Sequence, residues 1–507
     1  MMRITKLVLA LTVSALVSFL VPGIAPKLVC ADQQQSGHVE IEPYLFEAQN
    51  GQKVEAELGH LFVPENRGNP QSKLIQLAFV RFKSTAKNLG TPTFYLVGGP
   101  GGSAISQARG VGFPLYMALR EAGDFILLDQ RGTGMSKPNL TCREKLNYPL
   151  DKPLEREEFL RQYLEQSRAC AEYWHSQGVD LSAYNTNENA DDVEALRKAL
   201  NIPKLNIFGT SYGTHLSLAM IRRHSENLNR AVIAGIEGPD HTYKLPSNVQ
   251  SNLEQVAQIY KADPNVGKVI PDFLGLMKTL LDRLERQPVT VELTDPGTKQ
   301  KVKVTVGKFD LQFLIANFLP GRIAAMKRFP SVAQAMSKGD FSFLAQVSLS
   351  ARRDSIGSAM SFVMDCASGV SRKRWAQIKR EETTRIVGSL IDFPFPEICE
   401  AWGNPDLGST FRSPVKSKLP VLFISGTLDG RTPVSNADEI RRGFPNSIHL
   451  IVEQAGHVDA SMFKPETISV MLEFLKGLSV STTRVTSPAL EIPPLNLSET
   501  SRVTGRP

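Results

Sequence analysis

Along the first half of the chain, short apolar runs alternate with amphipathic stretches. Residues 60–63 and 74–83 (LIQLAFVRFK) read as a strand pair joined across the Pro/Asn/Gly-rich turn at 64–72. Residues 94–97, 125–128, 205–208 and 231–236 are short apolar runs of the kind found in strands buried on both faces. Between them, residues 189–200 (NADDVEALRKAL) open on Asn and two aspartates and place Val193, Leu196 and Leu200 on one face. That pattern predicts a capped amphipathic helix. Strands alternating with helices predict an α/β fold with a mostly parallel sheet covered on both faces.

The pattern changes at about residue 241. From there to 410 the chain is mainly helical, as in 273–284 with Leu276, Leu280 and Leu284 in line. A hairpin is expected inside this block: 289–293, the turn Asp295-Pro296-Gly297, then 302–306. Core-type strand signals return at 421–425 and 449–452. The expected organisation is therefore a sheet-and-helix core at 32–240 and 411–480 with an inserted helical cap at 241–410. Residues 32–55 are polar and read as peripheral. The tail 481–507 is rich in Ser, Thr and Pro and reads as disordered. There is no internal repeat.

Composition narrows the function classes. The chain has 507 residues, 42% of them hydrophobic, which is ample for a large core. Lys and Arg number 58 against 51 Asp and Glu, a net charge of +7. Three of the basic residues (Arg3, Lys6, Lys27) lie in the first 31 positions, which carry no acid; without them the excess is +4. So mild a balance, with no basic run, argues against a nucleic-acid partner. Arg3 and Lys6 precede the apolar stretch 7–21, and Val29-Cys30-Ala31 offers small residues for cleavage after Ala31. This is the pattern of a signal peptide at 1–31 and implies a secreted or periplasmic protein. An uncleaved anchor is the alternative; a lipoprotein centred on Cys30 fits worse, given Lys27 and Val29. No later segment has the ~18 apolar residues that a membrane span needs.

Four cysteines remain after the signal: Cys142, Cys170, Cys366 and Cys399. An even count in an exported chain implies two disulfides. Of three possible pairings, the sequence-local one, 142–170 with 366–399, is expected. No pair has the spacing of a zinc site, and no metal or cofactor is expected.

The chemistry concentrates in three places. Gly209-Thr210-Ser211-Tyr212-Gly213 follows the run 205–208 and precedes a helical stretch, the setting of a G-x-S-x-G nucleophile elbow. Asp429 follows the run VLFISG, and His457 follows HLIVEQ. Serine, aspartate and histidine thus come in the order of an α/β-hydrolase triad, each on a loop after a strand. His215, Asp438 and Asp459 are rivals by residue type; His215 points away on the elbow helix, and the two acids read as solvated. Val97-Gly98-Gly99-Pro100-Gly101-Gly102 lets a backbone amide, from Gly98 or Gly99, face a developing oxyanion, with the Tyr212 amide as second donor. The run lacks the ending of a phosphate loop.

GGPGG at 98–102, DQRGTGMS at 129–136 and GTSYGT at 209–214 together resemble the prolyl iminopeptidase and tripeptidyl aminopeptidase group of α/β-hydrolases. The likeness runs from about 55 to 478, and its Ser-Tyr elbow is similar to the tripeptidyl branch. The resemblance implies a cap whose acidic residues receive the substrate's free amino terminus, with Glu237, Asp365, Glu397 and Glu400 as candidates. Val97 stands where prolyl iminopeptidases have histidine, and Ile236-Glu237-Gly238-Pro239 departs from the tripeptidyl pattern. Asp129 and Arg131 read as braces for the neighbouring loop. The expected activity is an exported serine hydrolase that releases residues or short peptides from free N-termini through an acyl-enzyme. A carboxylesterase or lipase with the same triad, acting on a small ester, is the alternative; a binding protein on an inactive hydrolase fold is disfavoured by the intact set of three.

Overall fold

The computed structural model describes residues 35–403 and 405–495. The signal-peptide expectation at 1–31, with Cys30, lies outside these residues. Among them, no helix is long and apolar enough to cross a membrane.

The core is a ten-stranded sheet. Its strands are β1 (Val39–Glu47), β2 (Lys53–Pro64), β3 (Leu74–Phe82), β4 (Thr93–Leu96), β5 (Phe125–Leu128), β6 (Leu205–Thr210) and β7 (Leu228–Ala234). After a separate hairpin of β8 (Val289–Thr294) and β9 (Lys301–Val306) come β10 (Val421–Gly426), β11 (Ser447–Val452) and β12 (Arg484–Val485). The order across the sheet is β1-β2-β3-β5-β4-β6-β7-β10-β11-β12. Pairs from β1 to β5 through β2 and β3 are antiparallel; the rest, from β5 onward, are parallel. Every residue of β4, β5, β6 and β10 is buried. Helices cover both faces of these strands, which is why they read as continuous apolar runs rather than as alternation.

Three elements differ from the sequence reading. The peripheral segment 32–55 contains β1, an edge strand exposed along most of its length; with only Phe46 buried, it carries too short a hydrophobic period to detect. The helix expected from Asn189 begins at Thr186, because Asn185 holds an extended backbone and its side chain accepts the Glu188 amide. The tail is not disordered where it is described. β12 pairs with β11 at Ile451 and Val452, and Val485 and Ile492 are buried. A few spaced apolar residues suffice to anchor an otherwise polar segment; residues 496–507 lie outside the described set.

The segment between β7 and β10 divides. Ala359, Met360, Phe362, Ile398 and Trp402 join the cluster of the main sheet, so the expected cap at 241–410 is not all separate from the core. The rest packs a core of its own. Leu253, Leu280, Leu284, Leu311, Met326 and Leu344 belong to one cluster, which Leu428 of the β10 loop and Ile492 of the tail also join. This helical layer meets the loops after β10 and β11, through Asn252 on the Leu428 carbonyl and Gly321 on the His457 amide, at strand ends where ligands collect in open α/β sheets. Disulfides join Cys142 to Cys170 and Cys366 to Cys399. The second ties the helix Ala359–Ser368 to the short turn Glu397–Ala401.

Candidate active site

β6 turns into the helix Tyr212–His224 within a single residue. Ser211 takes that corner with φ 54° and ψ −125°. A positive φ at a non-glycine residue stores roughly 1–3 kcal/mol of strain, and such strain clusters at functional sites. The corner is possible because Gly213 has no side chain: a Cβ there would lie 1.8 Å from the Leu96 carbonyl oxygen. Gly98 of the next strand's loop crosses directly over the serine; its Cβ would lie 2.8 Å from Ser211 Cβ.

The three expected residues meet. His457 Nε2 is 2.9 Å from Ser211 Oγ, and His457 Nδ1 is 2.8 Å from Asp429 Oδ2. Asp429 is buried and fully committed. Its Oδ1 accepts the amides of Arg431 and Thr432, each at 2.9 Å, and its Oδ2 accepts the Thr432 hydroxyl at 2.6 Å. Burial alone would raise its pKa; the His457 charge and these hydrogen bonds more than offset that, and the carboxyl lies below its usual range. Thr432 was not singled out in the sequence, although its place three residues after an acid in a turn is a recognisable signal. Its Oγ1 is also 3.0 Å from His457 Nδ1.

The rivals are occupied elsewhere. His215 contacts the Gly238 carbonyl oxygen at 3.0 Å and Ser368 Oγ at 3.2 Å, and burial holds its pKa down. Asp459 accepts the Ser461 amide, and Asp438 is over half exposed beside His449. Asp129 accepts Ser103 Oγ at 2.8 Å and the amides of Ile105 and Met135. Arg131 is sealed from solvent, with Nε and Nη2 on the two oxygens of Asp192. Asp129 thus fixes the segment that follows the GGPGG turn, whereas Arg131 ties its loop to Asp192 and to the Glu65 and Ala183 carbonyls. Among the described residues, the one group of potential metal ligands is Cys142, Glu144 and Cys170, and both of its sulfurs are in a disulfide.

The four acidic candidates separate. Glu397 pairs with Arg156 at 2.8 Å and Glu400 pairs with Arg168; both arginines lie on the helix Arg156–Ser176. These two acids therefore pair with that helix, although Glu397 stays close enough to act on the Tyr243 phenol together with Asp365 and Asp392. Asp365 and Glu237 stand beside the site. Ser361 Oγ donates to the Pro100 carbonyl at 2.7 Å, which seats the helix Ala359–Ser368 on the GGPGG turn. Asp365, four residues on, shares that helix face. Glu237 follows β7, and its amide donates to Thr214 Oγ1 of the elbow helix at 2.7 Å. Both carboxylates lie close enough to raise the Tyr212 phenol, which burial has already raised.

Lys244 and Asp392, neither singled out in the sequence, complete this cluster. Lys244 Nζ reaches Glu237 Oε2 at 2.9 Å, and the Lys244 amide donates to Asp392 Oδ1 at 2.7 Å. Asp392 Oδ2 is buried without a hydrogen-bond partner. Burial pushes the Asp392 carboxyl up to about 7, against the pull of Lys244 and Arg374. Burial and then Glu237 raise Asp365 well above the usual carboxylate range. Three carboxyl groups thus share one ammonium.

A family model for the alpha/beta hydrolase fold matches residues 92–461, and the chain belongs to that family. It is a serine hydrolase similar to aminopeptidases of that fold. The tripeptidyl aminopeptidase of Streptomyces lividans is 25% identical over 435 residues, covering 78% of this chain and 77% of that protein. The proline iminopeptidase of Neisseria meningitidis is 30% identical over 147 residues, 29% of this chain and 33% of that one. Among solved structures, a thermophilic esterase from Thermogutta terrifontis aligns over 82% of this chain and 98% of its own, with 13% identity and a TM-score of 0.35.

Proposed function

We propose that this chain is an exported serine aminopeptidase that removes residues or short peptides from free amino termini. Ser211 Oγ attacks the scissile carbonyl while His457 takes its proton. The oxyanion forms beneath the GGPGG turn, facing the Tyr212 amide and an amide of Gly98 or Gly99. The carbon–nitrogen bond then breaks, and His457 gives the proton to the leaving nitrogen. Water repeats the sequence on the acyl-enzyme. Asp429 holds the imidazole tautomer and stabilises the imidazolium.

The observation that carries the peptidase reading is the cluster of Asp365, Glu237 and Asp392 around a single lysine. A buried carboxyl group with no counter-charge is costly. Burial raises the carboxyls of Asp365 and Asp392, Lys244 (with Arg374 at Asp392) offsets this only in part, and a further counter-charge would stabilise both. A substrate ammonium would supply it, at a place joined through Ser361 to the turn over Ser211. The helical layer, taken as a cap over 241–410, would then limit access to short chain ends. Two disulfides accord with an oxidising compartment, outside the cell or in a periplasm.

The test is a matched pair of peptide p-nitroanilides, one with a free amine and one acetylated. The free peptide is expected to be cleaved at least about tenfold to a hundredfold faster, the worth of one charge-assisted contact in the transition state. Equal rates would replace this function with that of an esterase or general hydrolase.

A further inference from the structure

Two arginines beside the triad have no anion. Arg322 follows Gly321, whose carbonyl accepts the His457 amide at 2.6 Å. A Cβ on Gly321 would lie 2.6 Å from His457 Cβ and 3.3 Å from Asp429 Oδ1, so this turn is pressed against the candidate triad. Arg431 comes two residues after Asp429, and its amide donates to Asp429 Oδ1. Both side chains are half-buried. Neither guanidinium makes an ion pair or a hydrogen bond with a described residue.

The chain's other half-buried and buried arginines each have a partner. Arg67, Arg81, Arg131, Arg197 and Arg352 meet carboxylates; Arg109, Arg120, Arg222 and Arg374 donate to carbonyl or hydroxyl oxygens, and Arg230 lies over the Phe474 ring. The two turns meet at one atom, since Gly321 is pressed on Asp429 Oδ1 and the Arg431 amide donates to it; burial, then the Arg322 charge, lowers Arg431 to about 10. Asp429 is the nearest anion, but its oxygens already accept His457, the Thr432 hydroxyl and two amides. Asp392 acts on Arg431 only at a distance. Like charges left together in a half-dry place are unfavourable unless an anion joins them.

The side of the serine on which they stand gives the anion its place in the reaction. His457 must return a proton to the leaving nitrogen, so the leaving fragment lies on the His457 side. Arg322 and Arg431 flank His457 and Asp429, whereas the acidic cluster flanks Tyr212. We propose that Arg322 and Arg431 form a binding site for a carboxylate carried by the leaving fragment, within a residue or two of the scissile bond. This rests on the peptidase function proposed above, and it makes the preferred substrate a short peptide held by its ammonium on one side and by a carboxylate on the other. Two sources have the same chemistry: the terminal carboxylate of a short leaving fragment, or an Asp or Glu side chain at its start.

The experiment uses the whole protein and four peptides with one acyl side. Their leaving fragments are alanine as the free acid, alanine amide, aspartic acid amide and asparagine amide. The expected result is a kcat/KM about tenfold to a hundredfold higher for a carboxylate-bearing fragment than for its neutral counterpart. Arg322→Gln and Arg431→Gln should each bring that ratio toward one, and Arg322→Lys should keep part of it. Preference for the alanine acid alone assigns the terminal carboxylate; preference for the aspartate alone assigns the side chain. Equal rates for all four peptides overturn the site while leaving the peptidase function standing. If none is cleaved, the peptidase function fails instead. The site is then read from inhibition of p-nitrophenyl acetate hydrolysis by Ala-Ala and by its amide. Stronger inhibition by the acid, lost in the glutamine variants, supports the site; equal inhibition overturns it.

Discussion

The Thr432 hydroxyl donates to Asp429 Oδ2, the same carboxylate oxygen that meets His457 Nδ1. The acid of the candidate triad is thus held from three directions by its own turn, through the Thr432 hydroxyl and the amides of Arg431 and Thr432. Thr432→Val should lower kcat roughly tenfold with KM little changed, because a hydrogen bond to a charged group that orients the base is lost. Thr432→Ser restores the hydroxyl and should restore most of the rate. Steady-state kinetics on one peptide decides it; a valine variant with wild-type kcat would remove Thr432 from any positioning role.

Ser211→Ala should fold as the parent does and lose nearly all turnover. Comparable changes in serine hydrolases reduce kcat by roughly a millionfold. A fluorophosphonate probe should label the parent and not the variant. Residual activity above about a hundredth of the parent, in protein free of contaminants, would contradict the nucleophile assignment.

The acidic cluster predicts a pH dependence with a definite sign. Asp392, with its carboxyl near 7, is neutral below that pH and charged above it. Lys244, Arg374, Glu237 and Asp365 are the charged groups around it. An ammonium is held better by the ionised form, so kcat/KM for a free-amino peptide, divided by that for p-nitrophenyl acetate, should rise as pH increases through about 7. It should fall again above roughly 8, where the peptide amine loses its proton. The division removes the titration of the triad common to both substrates. Asp392→Asn removes the group that titrates near 7 and should abolish the rise there. A flat ratio from pH 5.5 to 8 would exclude these carboxylates from substrate binding.

The two disulfides should not be equivalent. Each closes a loop of about thirty residues, 28 and 33 apart in sequence, and its removal should lower stability by roughly 2–4 kcal/mol. The bridge at Cys366 lies next to Asp365, so Cys366→Ser with Cys399→Ser should also raise KM for free-amino peptides. The corresponding pair at 142 and 170 should leave KM near its parent value. Denaturant midpoints and KM values for the two double variants test both statements.

Much of this was legible along the chain because it is local. The runs of β4, β5, β6 and β10 are buried on both faces, so they announce themselves without reference to any partner. The elbow is set by one strand, one corner and one helix, and its two glycines are demanded by contacts within a few residues or with the adjacent strand. β1, exposed at the sheet edge, leaves no such trace. Nor does the tail announce that Val485 and Ile492 anchor it.

The sequence by itself determined an α/β sheet, a G-x-S-x-G corner, and an aspartate and a histidine after later strands, because short-range periodicity and turn chemistry encode each of these. The tertiary structure decided which acids share the site. Glu397 and Glu400 look as eligible as Asp365 in the sequence, yet arginines on Arg156–Ser176 take both. Asp392, 155 residues beyond Glu237 and unremarkable where it stands, is brought to the same lysine. Arg322 is brought beside the turn of Arg431 only because Gly321, from the helical layer, packs on His457 and Asp429. Charge pairing depends on distance in space, and the helical insertion sets those distances through long-range packing that no local pattern records.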